Sequence, residues 1–373
     1  MSTQVRIGML RLTDSAPVML ARSRDIFGAL DLHPILSIEP SWADIADKLM
    51  YGRLDAAVML PPLVLASALG LRGPTDKSPA GRSPAGELIV PMGLSQGGNT
   101  IVLGGDTIAE SAGVPPGARL VDWVAHRNSR PRIAVVHRFS THNLLLRYWL
   151  ALSGIDPDRD IETVVVPPEQ MSAALASDRI DGFCAGAPWG MSAEMAGVGS
   201  VLLGTSEIWP FHPEKCLAVT AEWAAANPDA LTRLLRALMR AQVICDRPDA
   251  ADEVVAALTD RAGLALPREA VRAALPGGSS PEQIHFHGAG AAFPAPPHAI
   301  WFLRQMRRWG WLAEGTDIAE TARAVYRPDL FSLAARMEDL FIPPGIGPPG
   351  IGRDIPVPDA AWSGPSSETG GSG

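Results

Sequence analysis

Lysine is almost missing from this chain. Of the 32 Lys and Arg residues among 373, only Lys48, Lys77 and Lys215 are Lys. The formal charge is −8 and no long basic run occurs, so direct nucleic-acid binding is not expected. No run of about 18 apolar residues exists, which predicts no transmembrane segment. Cysteine is scarce as well. Cys184, Cys216 and Cys245 show no CxxC spacing, which argues against a disulfide framework or a structural zinc site.

Catalytic signatures are also missing. There is no GxSxG, no HExxH, no GxxxxGK followed by Ser or Thr, and no GxGxxG after a strand. Cys184 and Cys216 lie in apolar or strand-like stretches and read as small buried hydrophobes. His285-Phe286-His287 puts two imidazoles on one strand face without a third ligand nearby. The expectation is a protein with no enzymatic activity, no cofactor and no metal. Residues 1–5 run directly into Arg6-Ile7-Gly8-Met9-Leu10, a first strand with no secretory leader ahead of it, which predicts a cytoplasmic location.

What is present is a repeat. Arg6-Ile7-Gly8-Met9-Leu10 returns 126 residues later as Arg132-Ile133-Ala134-Val135-Val136, and Arg53-Leu54-Asp55-Ala56 returns at the same offset as Arg179-Ile180-Asp181-Gly182. Each copy parses as strand, helix, strand, helix, strand. Strands are expected over 7–10, 34–38 and 55–60, then over 133–136, 163–166 and 182–185. Helices are expected over 16–24 and 41–51, then over 142–153 and 168–177. The helix over 41–51 carries Trp42, Ile45, Ala46, Leu49 and Met50 at helical spacing. Ser41 supplies its N-cap, Asp44 suits its first turn, and Gly52 ends it.

Two such units predict an α/β fold of two lobes rather than one large doubly wound sheet. Lobe I is expected over 1–98 and lobe II over 99–216. Residues 217–342 complete lobe I with a helical region, including helices over 228–246, 251–258, 267–275 and 298–309. Residues 73–86 read as a flexible excursion, and the Pro/Gly-rich tail over 343–373 reads as disordered.

Two α/β lobes create a cleft, with ligands placed beyond the carboxyl ends of strands and near helix N-termini. Thr13-Asp14-Ser15, Pro40-Ser41-Trp42, Ser140-Thr141-His142 and Gly186 fall there. Their hydroxyls, indole N–H, imidazole and backbone amides favour a small anion held by donors. Pattern alone leaves blander roles open: Trp42 as core, His142 as a helix cap, Gln96 as part of a turn at Gly97-Gly98.

At this point five strings carry a resemblance: SWADIADKLMYGRLDAA, GLSQGGNTIVL, STHNLLLRYWLALSGIDPDRDIETVVVPPEQM, DGFCAGAPW and HPEKCLAVTAEW. They resemble the nitrate/bicarbonate-type substrate-binding proteins of ABC transporters, over residues 5–310. The resemblance implies a two-lobed periplasmic-binding-protein-like fold of type II that closes on its ligand by hinge motion. It also implies a nitrate site made of Trp42, Gln96, His142, Gly186 and Lys215. Bicarbonate-binding relatives carry an acidic residue at the lysine position and recruit calcium, so Lys215 points to nitrate or nitrite. On this reading Lys215 is a lone buried ammonium whose isolation the anion relieves, and His142 offers an N–H and a second positive charge.

The missing leader makes the chain resemble most the cytoplasmic NasS-type nitrate/nitrite sensors. That resemblance implies a partner, an RNA-binding antiterminator of the NasT type, held inactive and released when the anion binds. The alternative is the nitrate-binding component of an ABC transporter. The shortage of lysine gains meaning here, because one of only three lysines stands where this family charges its ligand. A forked guanidinium does not replace a compact ammonium in a cleft sized for a four-atom anion.

Overall fold

The computed structural model describes residues 2–71, 87–104, 114–260 and 263–338. The excursion expected over 73–86, Lys77 within it, and the tail over 343–373 lie outside the described residues.

Strands β1 (Thr3–Met9), β2 (Leu32–Ile38), β3 (Ala56–Met59) and β4 (Leu88–Gly93) precede a short crossing strand, β5 (Gln96–Gly97). Then come β6 (Asn99–Leu103), β7 (Arg132–Val135), β8 (Glu162–Val165), β9 (Gly182–Gly186) and β10 (Ser200–Gly204). The chain returns with β11 (Cys216–Thr220), and β12 (Ile284–His285) pairs antiparallel with β5. The helices are α1 (Ala16–Ser23), α2 (Trp42–Met50), α3 (Pro61–Ala68), α4 (Pro116–Ala125), α5 (Thr141–Leu152), α6 (Met171–Ala176) and α7 (Trp189–Met195). They continue with α8 (Ala221–Ala226), α9 (Pro228–Cys245), α10 (Ala251–Thr259), α11 (Arg268–Ala274), α12 (Pro296–Arg308), α13 (Ile318–Val325) and α14 (Pro328–Arg336).

Two five-stranded sheets result, ordered β2-β1-β3-β11-β4 and β8-β7-β9-β6-β10. In each, three parallel strands come from one copy of the repeat, and the fourth strand runs antiparallel. That antiparallel strand is β6 in one sheet and β11 in the other, each the first strand after the chain crosses from the opposite lobe. The fold is therefore two-lobed α/β, with β4–β5–β6 and β10–β11 as its two crossings. The return to the first sheet begins at Cys216 itself.

The 126-residue offset survives in three dimensions. Ile7 pairs with Ala56 and Ile133 with Gly182, the same register in both sheets. Arg6 and Asp55 close a clasp: the Arg6 N–H donates to Asp55 Oδ2 at 2.8 Å, and Nη2 donates to Oδ1 at 2.6 Å. Arg132 repeats it on Asp181, with N–H and Nε donating to Oδ2 at 2.8 and 3.2 Å. The repeated spacing thus ties a residue of the first strand, Arg6 within β1 and Arg132 at the start of β7, to the turn before the third strand.

Helix α2 buries Trp42, Ile45, Ala46, Leu49 and Met50, the stripe its spacing predicts, and the Ser41 hydroxyl accepts the Asp44 N–H at 3.1 Å. The span expected as one helix over 168–177 splits into a 3₁₀ turn, Pro168–Gln170, and α6. Alternation sorts the sheet: Val5, Ile7 and Met9 of β1 pack with α1 and α9, while Ala57 and Met59 of β3 face α2 and α3. Each Leu or Ile fully buried in these layers contributes roughly 1.5–3 kcal/mol. α12 packs against α3 of one lobe and α5 of the other, and α14 against α9 and β4. No helix among the described residues is long and apolar enough to cross a membrane.

Candidate functional site

The two lobes meet at the carboxyl ends of β1 and β9. After β1 the chain turns through Thr13-Asp14-Ser15, all buried, before α1. The Thr13 N–H donates across the cleft to the Ala187 carbonyl at 3.0 Å, and Trp189 Nε1–H donates to the Arg11 carbonyl at 3.2 Å. Arg11 Nε also lies 3.8 Å from Glu169 of the second lobe. Leu10, Arg11, Ile38, Glu39 and Pro40 face Pro167, Pro168 and Glu169 across a groove at the cleft mouth.

Lys215 is 2% exposed and sits in the irregular segment just ahead of β11. Its Nζ lies 5.7 Å from the centroid of the Trp42 ring, at the first turn of α2. A Cβ placed on Gly186, the last residue of β9, would stand 3.6 Å from the same Nζ and 3.5 Å from Asp14 Oδ2. His142, the second residue of α5, has Nδ1 3.6 Å from Glu214 Oε1, the oxygen that accepts from Lys215. Trp42, His142, Gly186 and Lys215 thus converge on one buried point. Gln96 reaches the same region through the backbone: it bridges to Pro213, and Ser95 before it accepts the Lys215 N–H on its hydroxyl at 3.1 Å.

Sequence reasoning missed the carboxylates. Lys215 is no lone ammonium: it donates to Glu214 and lies 3.5 Å from Asp14 Oδ2. An ammonium in this depth of protein requires a partner, and the carboxylate comes from the neighbouring residue. Asn99 Nδ2 holds the other Glu214 oxygen at 2.7 Å, and His212 Nδ1 lies 3.9 Å from it. Burial pushes Glu214 up, but Lys215 and His142 override it and hold the carboxyl well below the usual range. Burial opposes charge on Lys215, yet Asp14 and Glu214 keep its pKa above normal. Burial lowers His142, so the imidazole is neutral and supplies a donor, not the second charge expected of it. Burial raises Asp14.

Several polar atoms here are buried without a hydrogen-bond partner: Trp42 Nε1, His142 Nδ1, Gln96 Oε1, Asp14 Oδ2, Thr13 Oγ1 and Thr141 Oγ1. Each such atom costs about 1–3 kcal/mol unless water or a polar guest satisfies it.

Other candidates do not gather a site. His285 ends β12 with its ring against Phe211, 5.5 Å between centroids, while the chain leaves the strand before His287. The two imidazoles therefore do not share a strand face. Among the described residues no group of three or more His, Cys, Asp or Glu is arranged for a metal. Burial pushes all three cysteine thiols up, which disfavours the nucleophilic thiolate.

Residues 1–259 match the NMT1-like family. The chain is 31% identical to the nitrate/nitrite binding protein NrtA of Synechococcus elongatus, covering 95% of this chain and 80% of that protein. It is 33% identical to the bicarbonate transport ATP-binding protein CmpC of the same organism, over 89% of this chain but only 49% of that protein's length. The crystal structure of the periplasmic nitrate-binding protein NrtA from Synechocystis PCC 6803 superimposes with a TM-score of 0.79 at 28% identity, covering 90% of this chain and 89% of that one.

Proposed function

This chain belongs to the NMT1-like family, and from that premise we propose that it is a nitrate- or nitrite-binding protein that encloses the anion between its lobes, without catalysis. The observation that carries this reading is the buried Lys215 ammonium facing Trp42, His142 and Gly186, with the indole Nε1 unpartnered and the imidazole Nδ1 held only at 3.6 Å from Glu214. Nitrate offers acceptor oxygens and no donors, so it matches N–H groups arranged around one positive charge. At Gly186 the missing side chain leaves the approach to Lys215 Nζ free. Gln96 turns its NH₂ toward the anion in this assignment, leaving Oε1 to face away.

The relative named for bicarbonate transport and the periplasmic nitrate-binding structure support a transport role for this chain, delivery of the anion to a membrane permease. The sensor reading, with a NasT-type antiterminator and a cytoplasmic location, has no structural observation behind it, and the transport component is the reading adopted. Calorimetric titration with nitrate, nitrite and bicarbonate, the last with and without calcium, tests the ligand. One-to-one binding of nitrate or nitrite is expected; binding of bicarbonate alone, dependent on calcium, overturns the assignment. Co-purification with a candidate antiterminator separates the roles. A complex dissolved by nitrate assigns the sensor, whereas anion-stimulated docking on a permease assigns transport.

A further inference from the structure

Asp14 is the group in this cluster that the nitrate reading leaves unexplained. Its carboxylate is 1% exposed. Oδ1 accepts from the Ser95 hydroxyl, but Oδ2 has no hydrogen-bond partner. That oxygen points to the space over Gly186, 3.5 Å from where a Cβ would be, and stands 3.5 Å from Lys215 Nζ. A monoanion seated against Lys215 and Gly186 therefore meets Asp14 Oδ2 face to face.

The charges around it are few. Lys215 and Glu214 face Asp14 from the segment ahead of β11, His142 from α5, and Ser95 from the β4–β5 crossing. Glu214 stays ionised beside Lys215 and His142 is neutral, so one ammonium already faces two carboxylates when Asp14 is ionised. An added anion would leave three buried negative charges on one positive. Loading one proton onto Asp14 removes one of them and turns an opposing acceptor into a donor.

We propose that Asp14 is a specificity-determining residue that takes up one proton when a donor-free anion binds and donates Oδ2–H to it. An anion that carries its own O–H, such as bicarbonate, brings a donor for Asp14 Oδ2 and can hydrogen-bond it in either protonation state, so its binding is coupled less strongly to proton uptake. Burial raises Asp14 toward protonation and Glu214 adds to that, against the opposing pull of Lys215 and the Ser95 hydroxyl. This inference rests on the anion site proposed above.

The test is calorimetric titration of the full chain with nitrate and with bicarbonate from pH 5.5 to 9, in two buffers of different ionisation enthalpy. Nitrate affinity is expected to fall about tenfold per pH unit above the Asp14 transition, with uptake of about one proton per anion. Bicarbonate affinity is expected to show a shallower slope, so the selectivity ratio tilts with pH. Asp14→Asn keeps the Ser95 contact and supplies a permanent donor, and should flatten the nitrate slope. Nitrate binding with no proton uptake by the native chain, or an unchanged slope in Asp14→Asn, overturns the inference while leaving the anion site standing. Binding of no anion at any pH overturns the site itself, and this inference with it.

Discussion

The Nε2 of His142 accepts the backbone N–H of Val136 at 3.4 Å, which leaves the ring proton on Nδ1, the nitrogen that faces Glu214. Val136 follows β7 and His142 lies in the first turn of α5, so the strand end ahead of the helix sets the tautomer. The Ser140 hydroxyl fixes the helix start by accepting the Asn143 N–H at 3.2 Å. A buried, neutral imidazole held this way presents one aimed donor.

His142→Ala should therefore weaken nitrate binding by about ten- to 100-fold, the value of a lost hydrogen bond to a charged group, ~1.5–3 kcal/mol. Calorimetry with nitrate measures it directly. Unchanged affinity would remove His142 from the site.

Lys215 has two duties that a pair of variants separates. Lys215→Met leaves Glu214 and Asp14 buried without their cation, so it should lose nitrate binding and also about 3–5 kcal/mol of stability. Adding Glu214→Gln should restore much of the stability while binding stays lost. Urea denaturation and titration of both proteins follow the two effects. Recovery of binding in the double variant would contradict the role of the ammonium.

The architecture was legible because it repeats in local pattern. Arg6 and Arg132 stand at equivalent positions of paired strands, and the Ile45–Leu49 stripe announces a helix; both signals lie within a few residues. The carboxylates were not legible. Residues adjacent in a regular strand point to opposite faces, and Glu214 and Lys215 meet only because their segment is irregular until β11 starts. Asp14 could be placed at the cleft by position, but its contact with Lys215 joins parts of the chain 201 residues apart, for which no spacing rule exists.

The two clasps should weigh alike. Asp55→Ala removes the bonds from Arg6, and Asp181→Ala those from Arg132 and from Arg127, each at a cost of about 1–3 kcal/mol measured by denaturant midpoint. A large cost in one lobe and none in the other would show that the repeat is no longer structurally equivalent.

Trp42 is both wall and donor. Trp42→Phe keeps a ring in the α2 core but deletes Nε1–H, so stability should change little while nitrate affinity falls about tenfold or more. Equal losses in both quantities would make Trp42 a packing residue alone.

Glu282 ties the two crossings together, and its titration should be visible in stability. Its Oε1 accepts the Gly98 N–H at 2.9 Å and the Ser206 hydroxyl at 2.7 Å, and Oε2 accepts the Ser206 N–H at 3.1 Å. Gly98 belongs to the β5–β6 crossing and Ser206 to the β10–β11 crossing. Gly97 and Gly98 adopt φ of +68° and +80° there, backbone that a side chain resists. Burial outweighs the hydrogen bonds and pushes the Glu282 carboxyl up to about 7 from 4.5. A carboxyl raised on folding binds its proton more tightly in the native state. Its contribution is therefore full below about pH 4.5 and is lost as pH rises through about 7, up to ~3 kcal/mol in all. Comparison of the native chain with Glu282→Gln by urea denaturation isolates this from the carboxylates whose pKa values are lowered. The native-minus-variant stability should decline steadily between those two pH values and stay level above them. A flat difference would mean that Glu282 is ionised throughout and holds the crossings as a fixed anion.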